Sequence, residues 1–281
     1  MPRVAIVADS ASDISPEDAV RNGIAVVPLL VTFGSTEFRT GIDLDAPRFW
    51  DMMTAPGAPF PKTAACSPGD FQAAFGVAFG AGAESVLCIT VGGKLSATLK
   101  AAQVARDAMA GRDIRVVDSE SASYGQGLLA ILAAEMAGAG AGADEIEAEV
   151  LRRRPDSKFF VVLETLEYLK RGGRISAAQA AIGGVLSVKP IITIEDGLVV
   201  TADRPRTRSK ARERLLEMIT AEPIERAVIL HGMAPDIEAF GDEVAVRSGL
   251  ERSSMPTRWI GPSTGPHVGP GAFGAVVLRR S

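Results

Sequence analysis

Val4-Ala5-Ile6-Val7-Ala8-Asp9-Ser10-Ala11-Ser12-Asp13-Ile14-Ser15-Pro16 decides the reading of this chain. Five apolar residues give way at once to a polar turn, and Ser15-Pro16 then supplies a helix cap followed by a first-turn proline. A short buried strand feeding a helix through a polar turn is the unit of a parallel α/β sheet. The pattern recurs, with strands predicted at Ala25–Val31, Ser85–Val91 and Asp113–Val117. Helices are predicted between them at Pro16–Asn22, Ala46–Met53, Pro68–Phe79, Ser96–Met109 and Ser123–Ala139. The first half therefore reads as doubly wound.

Further along, a Gly/Ala loop from Gly138 to Ala143 precedes a charged helix that Asp144 is expected to cap. Pro155 stops that helix, which places a domain boundary at Arg152–Asp156. Residues 1–156 form one expected domain and residues 157–281 a second. Strands are predicted in the second at Phe159–Leu163, Pro190–Ile194, Leu198–Ala202, Ala227–His231, Pro256–Ile260 and Gly274–Leu278. Glu195-Asp196-Gly197 is a hairpin signal, so this half should carry a mixed sheet with helices.

Composition narrows the function classes. A net charge of −4 without a sustained basic stripe argues against a nucleic-acid partner. Two cysteines, Cys66 and Cys88, match neither a disulfide framework nor a zinc pattern. No apolar run approaches the roughly 20 residues of a membrane span, so no stable membrane insertion is expected and the cytoplasm is the expected setting.

Five segments carry polar groups where ligands bind. The turn Asp9–Asp13 lies at the carboxyl end of the first strand, where open α/β sheets take ligands, although a capped turn explains it equally. Thr63 precedes the capped helix start Ser67-Pro68 and either faces a cleft or closes a turn. Val91-Gly92-Gly93-Lys94-Leu95-Ser96 follows a strand and offers backbone donors to an anion. It is no Walker A loop, because glycine is missing at Cys88 and Ser or Thr at Leu95. Leu166–Ile175 closes a short helix on Lys170, Arg171 and two glycines, as either a solvated end or a partner surface. Gly261–Gly271 fixes His267 in backbone expected to be neither helix nor strand, with an imidazole able to offer a hydrogen bond or a charge.

Taken in order, these segments resemble the DegV family over nearly the whole chain. The resemblance rests on Asp9–Asp13, Val27-Pro28-Leu29, Phe33-Gly34 and Gly41–Leu44. It continues through Lys62-Thr63, Ser67–Phe71, Leu95–Thr98 and Val117–Ser119. Leu169–Ile175, Val188–Ile191, Arg206 before Lys210-Ala211, and His267 with Gly269–Gly271 complete it. It implies a two-domain α/β protein holding a long-chain fatty acid between its domains, with no cofactor and no catalytic residue of its own. It further implies a lipid-binding subunit that serves a separate ATP-dependent fatty acid kinase, which converts the presented carboxylate to an acyl phosphate. By the same resemblance Thr63 and Ser96 would hydrogen-bond the carboxylate, with Arg206 and His267 beside it, while Arg171 and Arg174 would meet the kinase. The chain departs from the family pattern at Ala64-Ala65, Gly92-Gly93, Ala97 and Leu99-Lys100, which leaves fewer hydroxyls around the headgroup.

The physics of such a ligand is consistent with that residue set. A fatty carboxyl group ionises near the glutamate value of about 4.3, so it arrives charged and needs donors when buried. About 14 methylenes at roughly 0.8 kcal/mol each bound the tail's contribution near 11 kcal/mol. Association entropy removes on the order of 4–15 kcal/mol, so the headgroup contacts matter. Two alternatives remain open: a carrier of another anionic lipid or small acid, and a serine acyl hydrolase built on Ser263 in Gly261-Pro262-Ser263-Thr264-Gly265. Against the hydrolase, Pro266 and further glycines follow where a helix should begin.

Overall fold

The computed structural model describes residues 3–175 and 188–280. The opening stretch forms β1 (Val4–Asp9), and the alternation of its side chains makes it a central strand. Ile6 and Ala8 face one helical layer while Val7 faces the other. Parallel partners flank β1 on both sides. The resulting four-stranded sheet has the order β2 (Ile24–Val27), β1, β6 (Ser85–Thr90), β7 (Asp113–Asp118). Helices α1 (Pro16–Asn22), α5 (Tyr124–Gly138) and α6 (Ala143–Arg153) cover one face. Helices α3 (Pro68–Gly80) and α4 (Thr98–Asp107) cover the other. The sheet is doubly wound, as its alternating pattern predicts.

The Ser-Pro signals act as expected. Ser15 accepts the Asp18 N–H at the start of α1, and Ser67 forms a reciprocal capping box with Asp70 at the start of α3. Asp144 does not cap α6. The cap position is Gly142, and the Asp144 carboxylate instead pairs with Arg115 from within the first turn.

The expected strand Ala25–Val31 is two strands in two sheets. Pro28 has no N–H for a ladder, so β2 ends at Val27. The chain then enters β3 (Leu30–Phe33), which lies between β4 (Thr36–Arg39) and β5 (Lys62–Ala64) in a small antiparallel sheet. Neither β4 nor β5 is evident in the sequence, and β5 carries Thr63.

The second half is a six-stranded mixed sheet. Its order is β10 (Leu198–Asp203), β9 (Ile191–Glu195), β8 (Ser157–Val162), β13 (Phe273–Arg279), β11 (Ile224–His231), β12 (Thr257–Trp259). Only β11 and β12 run parallel. The β9–β10 turn is the one read from the sequence: Asp196 and Gly197 both take positive φ, +49° and +73°. Phe160 and Val162 pack beneath α8 (Arg208–Ile219) and α9 (Ile237–Ser248). On the opposite face, Phe159 and Val161 meet Phe49 and Trp50 of α2 (Ala46–Thr54) and Tyr124 of α5. One apolar core therefore joins the mixed sheet to α2, to the small antiparallel sheet and to α5, the helix that lies on the parallel sheet. Polar ties flank it, with Trp50 donating to the Ile260 carbonyl and Arg258 bridging Asp18 and Tyr124.

Candidate functional site

The parallel sheet reverses its strand order between β1 and β6, and a buried carboxylate stands at that point. Asp9 accepts N–H groups from Ala11 at 3.0 Å, Val91 at 2.8 Å and the Gln126 amide at 3.1 Å. These bonds stitch together the turns after β1 and β6 and the start of α5. Burial nevertheless pushes the Asp9 carboxyl up to about 6.

Beside this junction, between the two sheets, lies a cavity of about 610 Å³ including its mouth. Ala11, Leu29, Val91 and Ala122 wall it from the first half, and Phe159, Ile192, Ile194 and Val199 from the mixed sheet. Its polar groups are Thr63, Ser96, Arg174, Ser263, Thr264 and His267, and no described acidic residue lines it.

Thr63 and His267 converge from opposite halves. β5 is held opposite β3 by the Val31–Thr63 pairing, which fixes the Thr63 side chain 3.4 Å (Oγ1 to Nε2) from His267. That spacing is long for a direct hydrogen bond and leaves both groups free to turn toward a shared oxygen. His267 sits in one helical turn, α10 (Gly265–Val268), where irregular backbone was expected. The turn packs so tightly on α2 that a Cβ at Gly265 would fall 2.4 Å from the Phe49 ring.

Gly172 ends α7 (Glu167–Arg171) and lies against the His267 ring; a Cβ there would fall 2.1 Å from Nδ1. Nδ1 is buried and without a partner among the described residues. Burial, with the nearby Arg174 cation, pushes the imidazole down to about 3. His267 is consequently neutral at physiological pH, and the positive charge considered for it is not available.

Ser96 lines the cavity just before α4. The cap position is Ala97, and the Ser96 hydroxyl accepts the Thr98 N–H at 3.3 Å while bonding Thr98 Oγ1 at 2.9 Å. Arg206, expected beside the headgroup, is exposed in the loop before α8 and is not among the cavity residues. Thr207, next to it, caps α8. Arg171 is exposed as expected of a surface group, its guanidinium 3.9 Å above the Phe60 ring. Arg174, grouped with it as a partner contact, points the other way into the cavity wall. Two glycines separate the helix end from Arg174 and let the chain reverse there, with Gly173 at φ +74°.

Asp13 belongs to the turn Asp9–Asp13 read from the sequence but was not singled out there. Its φ is +54°, both carboxylate oxygens are buried beside the Ser123 hydroxyl and the Gly261 backbone, and a Cβ on Gly261 would fall 2.3 Å from Oδ1. Burial raises this carboxyl to about 7. Only its spacing from Asp9 was visible beforehand, and spacing does not reveal burial. Ser263 is on the cavity wall, but its hydroxyl points to Thr40 Oγ1 at 3.5 Å, and no hydrogen bond joins it to either histidine. Among the described residues, no group of three or more His, Cys, Asp or Glu could hold a metal ion.

A family model described as an uncharacterised protein of the DegV family matches residues 3–280. The chain belongs to the DegV family. A DegV domain-containing protein of Caldanaerobacter subterraneus subsp. tengcongensis is 35% identical over 278 residues, covering 98% of each chain. A DegV family protein from Thermus thermophilus, described by its fatty acid binding, shares 34% identity and a TM-score of 0.90 over 99% of this chain and 100% of that one. A stearic acid-binding protein from Eubacterium ventriosum shares 26% identity and a TM-score of 0.88, over 99% and 98% of the two chains. The DegV architecture implied by the sequence, a parallel sheet and a mixed sheet with their helices, is the one observed.

Proposed function

We propose that this DegV protein carries a long-chain fatty acid between a unit of residues 1–156 and a unit of residues 157–281. The observation that carries this reading is the character of the cavity: apolar walls from both halves, hydroxyls and a neutral imidazole together, and no described acid. Such a lining dehydrates a tail without penalty and offers donors only where an oxyanion would rest. In this reading Thr63, Ser96 and His267 receive the carboxylate, and exposed Arg206 does not. The relatives described as fatty acid-binding support the same class of ligand.

The chain then acts as a lipid-binding subunit that presents the carboxylate to a separate ATP-dependent fatty acid kinase for acyl phosphate formation, working in the cytoplasm. Among the described residues no helix is long and apolar enough to cross a membrane. Arg171, stacked on Phe60 near this end of the molecule, is the proposed kinase contact. The chain contributes no catalytic group of its own. A histidine held near pKa 3 is a poor base at neutral pH, and Ser263 is turned toward Thr40, both of which count against a hydrolase.

Gentle extraction of the purified protein followed by mass spectrometry tests the ligand. Near-stoichiometric long-chain fatty acid is the expected result, and a different anionic lipid or small acid would overturn the reading. Acyl phosphate should form from ATP only after a kinase subunit is added. Formation by the isolated chain would refute the division of labour.

A further inference from the structure

The Ser96 hydroxyl stands at the edge of the cavity with Thr98 behind it. A serine hydroxyl has one proton to donate and two lone pairs with which to accept. The Thr98 N–H donates to Ser96 Oγ at 3.3 Å, and Thr98 Oγ1 lies 2.9 Å from the same atom. Two polarities satisfy that second contact. In one, Ser96 donates to Thr98 and spends the only proton it could give to an anion. In the other, Thr98 donates to Ser96, both lone pairs are filled, and the Ser96 proton is left for the cavity.

The surroundings of Thr98 favour the second. Thr98 is completely buried at the first position of α4, so its hydroxyl proton needs a partner inside the protein. The Cys66 thiol adjoins the same hydroxyl, and burial pushes that thiol well up, so no thiolate is there to attract the proton. A neutral sulfur is a weak acceptor, and Cys66 spends its own hydrogen on the Val27 carbonyl, 3.6 Å away. Ser96 Oγ is the stronger acceptor of the two. A carboxylate in the cavity acts in the same sense, because it only accepts and draws the Ser96 proton outward.

We propose that Thr98 is a positioning residue for the headgroup: its hydroxyl donates to Ser96 and turns the Ser96 proton into the cavity, so that Ser96 meets a bound carboxylate as a donor only. This inference rests on the fatty-acid reading above and deepens it. Thr98 acts through Ser96 and is not itself among the residues lining the cavity.

The test uses the full chain stripped of lipid, with palmitic acid and hexadecanol competing separately against a fluorescent fatty acid. Thr98→Val keeps the side-chain shape and the backbone N–H and removes the hydroxyl alone. It should weaken palmitic acid by about threefold to tenfold, the worth of one neutral hydrogen bond. Hexadecanol should change by less than about twofold, because its own hydroxyl proton can fill the lone pair that Thr98 vacates. Thr98→Ser, which retains the hydroxyl, should hold palmitic acid within about twofold of the wild-type chain. In a Ser96→Ala background, Thr98→Val should add less than about 1.5-fold to the loss, because the two hydroxyls act as one unit. An unaltered palmitic acid affinity in Thr98→Val would overturn the assignment, as would a loss of the same size in Thr98→Ser. Equal losses for acid and alcohol, or a full further loss in the Ser96→Ala background, would also overturn it, since both mark a merely structural role. Unchanged affinity in Ser96→Ala would remove Ser96 from the headgroup, and a wild-type chain that bound neither compound would overturn the fatty-acid reading itself. Either result would take this inference with it.

Discussion

Asp9 and Arg174 are both shielded charged groups at the junction of the two sheets, yet they are treated in opposite ways. Asp9 receives three N–H donors from the chain around it and leaves nothing for a ligand. Arg174 donates to two neutral carbonyls and has no counter-charge among the described residues. A shielded charge whose partners are all built in serves the scaffold, whereas one left unbalanced beside a cavity marks where something else belongs. The same distinction separates the Ser67 capping box, complete in itself, from His267 Nδ1, which has no partner among the described residues.

The largest effect should come from breaking the satisfied site. Asp9→Ala strands donors from three segments in the core, and we expect a loss of about 3 kcal/mol or more in denaturant-monitored stability. Stability within about 1 kcal/mol of the wild-type chain would show that Asp9 is no scaffold. On the cavity side the pattern should invert. Thr63→Ala and Ser96→Ala should each cost about 1–3 kcal/mol in fatty-acid affinity while barely changing the melting temperature. Unchanged affinity in both would remove the headgroup assignment without touching the fold.

Asp13 sharpens the contrast through pH. Its folded value of about 7 lies above the ordinary 3.8, so between these values the folded chain keeps a proton that the unfolded chain has released. That contribution is complete below about pH 4 and is lost as pH rises through 7. His267 works in the other direction, costing stability as pH falls from 6.5 toward 3. Asp13→Asn should therefore flatten the decline between pH 4 and 7 by on the order of 4 kcal/mol in urea titrations. An unchanged slope would mean that Asp13 is ionised in the folded chain. Smallest of all should be the effect of Arg171→Ala on lipid affinity, with its consequence confined to slower phosphorylation by a kinase subunit. Normal phosphorylation would remove Arg171 from the partner surface.

Local chemistry explains which parts of this were legible in the sequence. β1 and its capped helix, the Asp196-Gly197 turn and the winding of the first half all follow from residues within a few positions of one another. The separation of β2 from β3 hinged on one missing N–H at Pro28, and β5 is too short to show a period. Side-chain direction was the harder matter. Arg171, Arg174 and Arg206 all read as basic groups near loops and helix ends. Only the close approach of Gly172 to His267, and the reversal at Gly173, send Arg174 inward while Arg206 faces solvent. Contacts between residues some 90 positions apart, such as Gly172 against His267, leave no trace in spacing.

A crystal structure of the protein with palmitic acid puts the whole account at risk in one step. The account predicts a tail threaded between Val91 and Ile192 and a carboxylate within hydrogen-bonding reach of Thr63 Oγ1 and His267 Nε2, on the side of the cavity that Arg174 faces. A carboxylate resting elsewhere, or a tail bound outside the junction of the two sheets, would contradict it.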